Sequence, residues 1–260
     1  MKGKNSFLAM VVFLSILSLS GFASASTYYV YEQWGGAWHD ANKDWNGDLN
    51  LCWAAAASNI LDWAGWGTAT YTNETSIFQY FKDHWTNVGS FPEYGWHWWV
   101  DGTLPPEASG WSQVSTSGGE FWSGVDFSGV YHEDWAGNLL AAVDSLFDSG
   151  YGVTLAIYSP KTGGGYYGHA LTIWGYDYSN GQYTGVYVTD SDDNVTALQH
   201  YTVSWNSSAG WYYLTDYYSG QWFIGGVEGL AQNPVPLPPT LLLFGSGLLG
   251  LVGWRRFRKE

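Results

Sequence analysis

The chain has 260 residues, of which 46% are hydrophobic and 19% aromatic. This composition supplies enough apolar surface for one sizeable core and argues against intrinsic disorder. The formal net charge is −14, and six of the nine basic residues lie at the two ends of the chain, which leaves only Lys43, Lys82 and Lys161 in between. Nucleic acid is therefore excluded as a partner, because it binds to basic surfaces.

The first segment has the features of a secretory signal peptide. Lys2 and Lys4 precede an apolar run at residues 7–19, and small residues follow at positions 23–25. A basic start, an apolar centre and a small-residue cleavage site are the three parts of such a peptide. We predict a signal peptide over residues 1–25 and export of the remainder.

Residues 26–232 contain no internal repeat or linker and are predicted to form one domain. Its first half is predicted to be helical, with helices at residues 52–61, 76–85 and 138–147. The second half has short alternating runs of β-branched and aromatic residues, which are typical of strands. Six strands are predicted there, at residues 152–157, 170–176, 186–189, 200–205, 211–214 and 223–227. Helices followed by an antiparallel sheet indicate an α+β fold.

Cys52 is the single cysteine, so an intramolecular disulfide is excluded. It lies in the first turn of the first predicted helix, which Asn50 is placed to cap. Unpaired N–H groups and the positive end of the helix dipole favour a thiolate at that position. A reactive nucleophile is one interpretation, and a buried inert thiol or an intermolecular link are the others.

Two further residues can complete a site around this thiol. His169 follows a glycine-rich stretch, residues 163–168, and stands at the start of a predicted strand. Asp190 ends another predicted strand. Its carboxylate can accept a hydrogen bond from the imidazole of His169, which fixes the tautomer of the ring and stabilises its protonated form.

The acidic run at residues 190–194 also permits a second interpretation, a calcium-binding loop. Such a loop needs a glycine at its sixth position and a closing glutamate at its twelfth. Val195 and Tyr201 stand at those two positions. The calcium interpretation therefore stays open as the weaker alternative.

Three stretches together resemble the IdeS/Mac family of immunoglobulin-degrading cysteine endopeptidases: residues 51–61, 168–177 and 187–192. The resemblance implies a papain-like cysteine protease fold, with an N-terminal helical part packed on a C-terminal antiparallel sheet, over residues 26–232. It implies endopeptidase activity on protein or peptide substrates through a thioester acyl-enzyme, without a cofactor or metal. Antibody cleavage is not implied, because the stretch between the cysteine and the histidine is shorter here.

Residue by residue, the resemblance implies Cys52 as nucleophile, His169 as general base and acid, and Asp190 as the residue that orients the imidazole. Asp192 becomes a supporting carboxylate. Lys43 and the backbone N–H of the cysteine are implied to stabilise the oxyanion of the transition state. A solvated surface lysine is the alternative for Lys43.

The C-terminal residues 233–260 combine a proline-rich spacer, an uncharged apolar segment at residues 240–254 and a basic end. This order resembles a PEP-CTERM sorting signal, with Leu237 where glutamate is usual. The apolar segment is shorter than the roughly 20 residues of a comfortable membrane span. The resemblance implies transient anchoring in the inner membrane, processing by an exosortase-type enzyme, and a location at the bacterial cell envelope, at the outer surface or outside the cell. A permanent single-pass anchor is the alternative.

Two other functions stay open from the sequence. Aromatic clusters such as residues 96–99 could let a non-catalytic surface protein bind glycan or protein. A thiol enzyme could instead perform acyl transfer or amide hydrolysis on a non-protein substrate, because the first half-reaction is the same.

Overall fold

A computed structural model describes residues 25–104, 117–218 and 221–234. Within these ranges the chain forms five α-helices and eight β-strands. The helices are α1 (Val30–Trp34), α2 (Cys52–Trp63), α3 (Glu74–His84), α4 (Pro92–Asp101) and α5 (Leu139–Asp148). The strands are β1 (Ser26–Tyr29), β2 (Tyr131–Asp134), β3 (Tyr151–Pro160), β4 (Tyr166–Ser179), β5 (Gln182–Thr189), β6 (Gln199–Asn206), β7 (Trp211–Leu214) and β8 (Trp222–Ala231).

All eight strands belong to one antiparallel sheet, and six of them close into a ring. The order around the ring is β4, β3, β8, β7, β6 and β5, and β5 pairs again with β4. β1 pairs with the second half of β4, and β2 pairs with the second half of β8. Gly175 permits the first of these pairings, because a Cβ there would lie 2.3 Å from the carbonyl oxygen of Tyr28.

The predicted fold class is wrong. The sequence predicts a papain-like α+β fold with a helical part packed on a sheet, whereas the described residues form a closed antiparallel sheet with two added strands and few helices. The physical reason is the length of β4, whose 14 residues pair with both β3 and β5. Register shifts between Ile173 and Gly175 and between Asp177 and Tyr178 accompany the pairing with β5 and help the sheet to close.

Most of the individual helices and strands predicted from the sequence are present. Each of the six predicted strands is present, and the helices predicted at residues 52–61, 76–85 and 138–147 are present as α2, α3 and α5. Leu51 rather than Asn50 is the residue that precedes α2. The sequence pattern predicts neither β1, β2 nor α4, because two of these elements are only four residues long and the third is rich in aromatic residues without a clear polar face.

The core lies between the sheet and the helices that cover it. α2 packs against β3 and β4, and α5 packs against β3, β7 and β8. The run Ala54–Ala57 is buried, and these small side chains let α2 approach the sheet closely. β8 is buried continuously from Phe223 to Leu230, as expected for a strand covered on both faces.

None of the helices in the described ranges is long and apolar enough to cross a membrane. The two segments for which the sequence predicts membrane or signal functions, residues 1–25 and 240–254, fall outside those ranges apart from Ala25.

An ion-pair cluster fixes the helices to the loop that precedes α2. His39 Nδ1 lies 2.9 Å from Asp62 Oδ2 on α2 and 3.2 Å from Glu74 Oε2 on α3. Burial opposes the charge of His39, but hydrogen bonds to both carboxylates outweigh it and raise the pKa of His39 to about 9. The hydrogen bond from His39 lowers the pKa of Glu74 to about 2. The cluster therefore stabilises the folded chain electrostatically.

His39→Gln is expected to lower the free energy of unfolding by about 1–2 kcal/mol at pH 6 and by much less at pH 10. Because the pKa of His39 is higher in the folded state, its contribution is complete below the ordinary value of 6.5 and is lost as the pH rises through about 9. Glu74 has a lowered pKa in the folded state, so its contribution to stability is complete above pH 4.5 and is lost as the pH falls towards about 2. Urea unfolding at pH 6, 8 and 10 measures the difference.

The matched control is His132→Gln, since His132 is an exposed histidine that also contacts a carboxylate, Asp134 Oδ2 at 3.3 Å. The control is expected to change the unfolding free energy only slightly at every pH. An equal loss for His39→Gln at pH 6 and pH 10 would contradict an electrostatic role of the cluster.

Candidate active site

Cys52 is the first residue of α2, so its thiol stands at the positive end of the helix dipole. Asn59, two turns further along the same helix, fixes α2 to the sheet. Its Nδ2 donates to Thr172 Oγ1 on β4 at 3.0 Å, and its Oδ1 accepts from the N–H of Ala41 at 2.7 Å. These buried hydrogen bonds fix α2 against β4, the strand that carries His169.

His169 is the fourth residue of β4 and is almost fully enclosed, with its side chain 7% exposed. Its Nε2 lies 2.7 Å from Asp190 Oδ1. Its side chain also lies close enough to that of Cys52 for each group to shift the pKa of the other. Because Asp190 occupies Nε2, Nδ1 is the nitrogen that faces the thiol. The indole of Trp222 lies edge-on to the imidazole, with ring centroids 6.5 Å apart.

Asp190 directly follows β5 and is buried. The antiparallel pairing of β4 with β5 places Thr189 opposite Thr172, which brings Asp190 beside His169. Its Oδ1 also accepts from the backbone N–H of Asp192 at 2.9 Å, and its Oδ2 accepts from the hydroxyl of Tyr217 at 2.7 Å. Each carboxylate oxygen therefore has a donor, which holds the group in one orientation.

The electrostatics of these three residues favour an ion pair. Burial alone would raise the pKa of the Cys52 thiol, but the charge and hydrogen bond of His169 and the nearby charge of Lys43 bring it below its ordinary value. Burial would lower the pKa of His169, yet the charge of Cys52 and the hydrogen bond to Asp190 raise it to about 10. Burial likewise opposes ionisation of Asp190, but His169 and Tyr217 lower its pKa. These shifts all favour the ionised forms, a thiolate, an imidazolium and a carboxylate.

Lys43 is buried, at 2% exposed, so the solvated surface lysine considered as its alternative is not what the structure contains. Its ammonium forms an ion pair with Asp192 Oδ1 and donates to the carbonyl of Leu49 at 2.8 Å. It also lies 4.7 Å from the ring centroid of Trp45. The cation is thus fixed near the thiol by several contacts.

Asp192 connects Lys43 to the histidine. Its Oδ1 binds the lysine, and its Oδ2 lies 3.9 Å from His169 Nδ1. Asp190 and Asp192 therefore each face a cationic side chain. These contacts disfavour the calcium loop considered for residues 190–194, because the carboxylates are already neutralised.

A cleft of about 410 Å³ opens above the thiol. Cys52 and His169 lie at its floor. One wall comes from the segment before α4, and the other comes from β3, β4 and the turn between them. The residues that line the walls are Asn50, Gly89, Ser90, Phe91, Pro92, Ala156, Tyr158, Lys161, Tyr167, Gly168 and Ala170. A mixture of aromatic and polar groups at this size is typical of a ligand-binding cleft.

Sequence reasoning misses two residues of the site, Tyr217 and Trp222. Both lie after β7, in the segment that leads into β8 and at the start of that strand. Their positions depend on the long-range pairing of β8 with β3 and β7, and no local motif marks them.

The aromatic cluster at residues 96–99 is part of the core rather than a binding surface. Trp96, Trp98 and Trp99 are fully buried on α4. The indole N–H of Trp96 donates to the carbonyl of Ala57 at 3.1 Å, and that of Trp99 donates to Trp66 at 2.8 Å. These rings are therefore inaccessible to a sugar.

Comparison with known proteins identifies one feature of the chain. Residues 234–259 match the PEP-CTERM protein-sorting motif. The motif marks an exported protein that is recognised by an exosortase-type enzyme and processed at the cell envelope. A search of curated proteins finds no match. The comparisons do not support the resemblance to the IdeS/Mac family.

Proposed function

We propose that this exported protein is a cysteine endopeptidase that hydrolyses peptide bonds through Cys52, His169 and Asp190. One observation carries the proposal: at the floor of a cleft, the thiol lies beside an imidazole that is itself hydrogen-bonded to a buried carboxylate. A purely structural cysteine needs neither a histidine partner nor an opening to solvent. A nucleophile needs both of them.

In the proposed reaction, the thiolate of Cys52 attacks the carbonyl carbon of the scissile bond and a C–S bond forms. The imidazolium of His169 gives its proton to the amide nitrogen, the C–N bond breaks and the amine leaves. A water molecule then attacks the thioester while the imidazole removes its proton. The C–S bond breaks, the acid product leaves and the ion pair is restored.

The carbonyl oxygen carries a negative charge during both attacks. The N–H of Cys52 is available to it, since the first N–H groups of a helix lack partners within the helix. The buried charge of Lys43 contributes a positive potential to the same region, as its effect on the thiol indicates. Fixed dipoles and charges of this kind lower the barrier because they need no reorganisation during the reaction.

Asp190 has a positioning role in this proposal. Its carboxylate holds the ring with Nδ1 towards the thiol and stabilises the imidazolium, and Tyr217 holds the carboxylate in turn. The wider cell-biological proposal is transient anchoring through residues 240–254 in the inner membrane, followed by release to the outer surface or the medium.

The proposal is tested with the purified protein and a mixture of unstructured peptides, with mass spectrometry to detect new termini. We expect hydrolysis in the presence of a reductant, and we expect its loss after peroxide treatment, because a thiolate that small oxidants can reach through the cleft is oxidised to sulfenic acid. A reductant added after mild oxidation is expected to restore hydrolysis.

Protein that has been fully alkylated with iodoacetamide is the control and is expected to be inactive. Full hydrolysis after peroxide treatment without a reductant, or after complete alkylation, would contradict the proposal. Glycan or protein binding without hydrolysis would favour a non-catalytic surface protein.

A further inference from the structure

Three glutamates from different elements converge on the side of the sheet that carries β2. Glu93 lies on α4, Glu133 on β2 and Glu228 on β8. Their carboxylate oxygens lie within 4.8 Å of one another. Glu133 and Glu228 are direct partners in the pairing of β2 with β8, so the strand register fixes their proximity. Like charges directly opposite one another destabilise a sheet unless something neutralises them.

Glu228 makes this cluster unusual. It is 1% exposed, and neither of its carboxylate oxygens has a hydrogen-bond partner of acceptable geometry among the described residues. The backbone amide of Glu93 points towards it without reaching that geometry. A buried carboxylate without a partner is strongly destabilising, so the site requires a neutralising group.

No cation of the described part of the chain supplies this neutralisation. Lys43 pairs with Asp192, and Lys82 pairs with Asp44 and Asp48. The third lysine, Lys161, lines the cleft and sits over the ring of Tyr167. The neutralising group must therefore come from solution.

The chemistry of the donors identifies the class of that group. The cluster offers carboxylate oxygens only. Hard cations such as calcium and magnesium prefer these ligands, whereas zinc and copper prefer nitrogen or sulfur ligands. Tyr131 and Trp135 donate to the same oxygen of Glu133, Oε2, at 2.9 and 2.6 Å, which holds that side chain in place and leaves its other oxygen free of these two contacts. Glu133 is exposed, so an ion can enter from solvent.

We infer that Glu93, Glu133 and Glu228 bind a calcium ion. Calcium accepts irregular sets of oxygen ligands more readily than magnesium, which requires near-octahedral geometry. Carboxylates from a helix and two strands form such an irregular set. The inference does not depend on the proposed peptidase function.

The site lies behind one wall of the cleft. Glu93 follows Phe91 and Pro92, which line the cleft, and the charge of Glu228 reaches Tyr158 on the opposite wall. A calcium ion would connect the start of α4 to β2 and β8. Its expected effect is therefore to stabilise the cleft walls as well as the fold.

Protonation is the competing way to neutralise Glu228. Burial and the two neighbouring carboxylates raise the pKa of its carboxyl well above the ordinary value. If Glu228 is protonated, calcium does not stabilise the protein. The effect of calcium on stability therefore distinguishes protonation from calcium binding.

The test uses purified protein that has been treated with EDTA and dialysed. We expect 1 mM calcium to raise Tm by about 3–5 °C, since a ligand that binds only the folded state stabilises it. We also expect terbium to bind and to give luminescence on excitation of tryptophan, because the indole of Trp135 contacts Glu133, and calcium should displace the terbium.

Glu228→Gln keeps the shape of the side chain and removes its charge. In this variant we expect a higher Tm in EDTA than for the wild type, no rise with calcium and no terbium signal. The matched control is Glu32→Gln, an exposed glutamate on α1, which should behave like the wild type.

Three results would overturn the inference. The first is a wild-type Tm that does not change with calcium up to 10 mM, which would indicate protonation instead. The second is a calcium response that persists in Glu228→Gln. The third is a response to zinc but not to calcium, which would point to a site that contains histidine.

Discussion

Alanine at either Cys52 or His169 is expected to lower kcat/KM for peptide hydrolysis by at least about 10⁴-fold, and the double variant is expected to lose no more than the worse single variant. The thiolate and the imidazolium act as one unit, so removing either partner removes the whole nucleophilic route. Single and double variants assayed on one fluorogenic peptide measure this. Circular dichroism spectra that match the wild type are the control for folding.

The same pair can be examined without a substrate. The rate of alkylation of Cys52 by iodoacetamide is expected to persist in the wild type well below the ordinary thiol pKa of about 8.5. In His169→Ala the rate should follow titration of the Cys52 thiol with a pKa near or above that value. Burial raises the pKa of the thiol, and the charge of His169, which lowers it in the wild type, is absent. Identical titration curves for the two proteins would contradict the ion pair and, with it, the proposed mechanism.

Asp190→Ala is expected to lower kcat/KM by about 10³- to 10⁴-fold. The variant removes the acceptor that orients His169, and it leaves the buried hydroxyl of Tyr217 without its partner. Asp190→Asn retains an oxygen that can accept from Nε2, so it should recover part of the activity. The activity difference between these two variants separates orientation of the ring from the contribution of the negative charge.

A pH profile distinguishes this positioning role from a general loss of structure. In the wild type, activity is expected to fall at high pH as His169 loses its proton, with a pKa of about 10. Both Asp190 variants should move this alkaline limb to lower pH, because the negative charge that stabilises the imidazolium is gone. An unchanged alkaline limb with reduced activity would indicate that Asp190 is only structural.

The sequence predicts those parts of the molecule that depend on local patterns. The helix that begins at Cys52 and the strands that carry His169 and lead to Asp190 each have a local signal in residue type and period. Ring closure has no such signal, since alternation shows which side of a strand is buried and not which strand lies beside it. The fold class is therefore wrong although most of its elements are right.

The candidate site likewise contains residues that the sequence predicts and residues that it does not. The sequence order indicates which residue types could cooperate, and the structure brings Cys52, His169 and Asp190 together. The sequence does not indicate that Lys43 is buried against Asp192, because the loop that carries the lysine has no periodic pattern of apolar residues from which burial could be predicted. Tyr217 is missed because its partner lies 27 residues earlier, across the closed sheet.

The contact between Asn59 and Thr172 joins residues 113 positions apart in the chain. Until both have been made and exported, nothing holds the thiol of Cys52 near an imidazole. An unfolded export intermediate therefore carries an ordinary, mostly protonated thiol, and the reactive pair exists only once the sheet has formed. Late assembly of this kind would keep the thiol unreactive during synthesis and translocation.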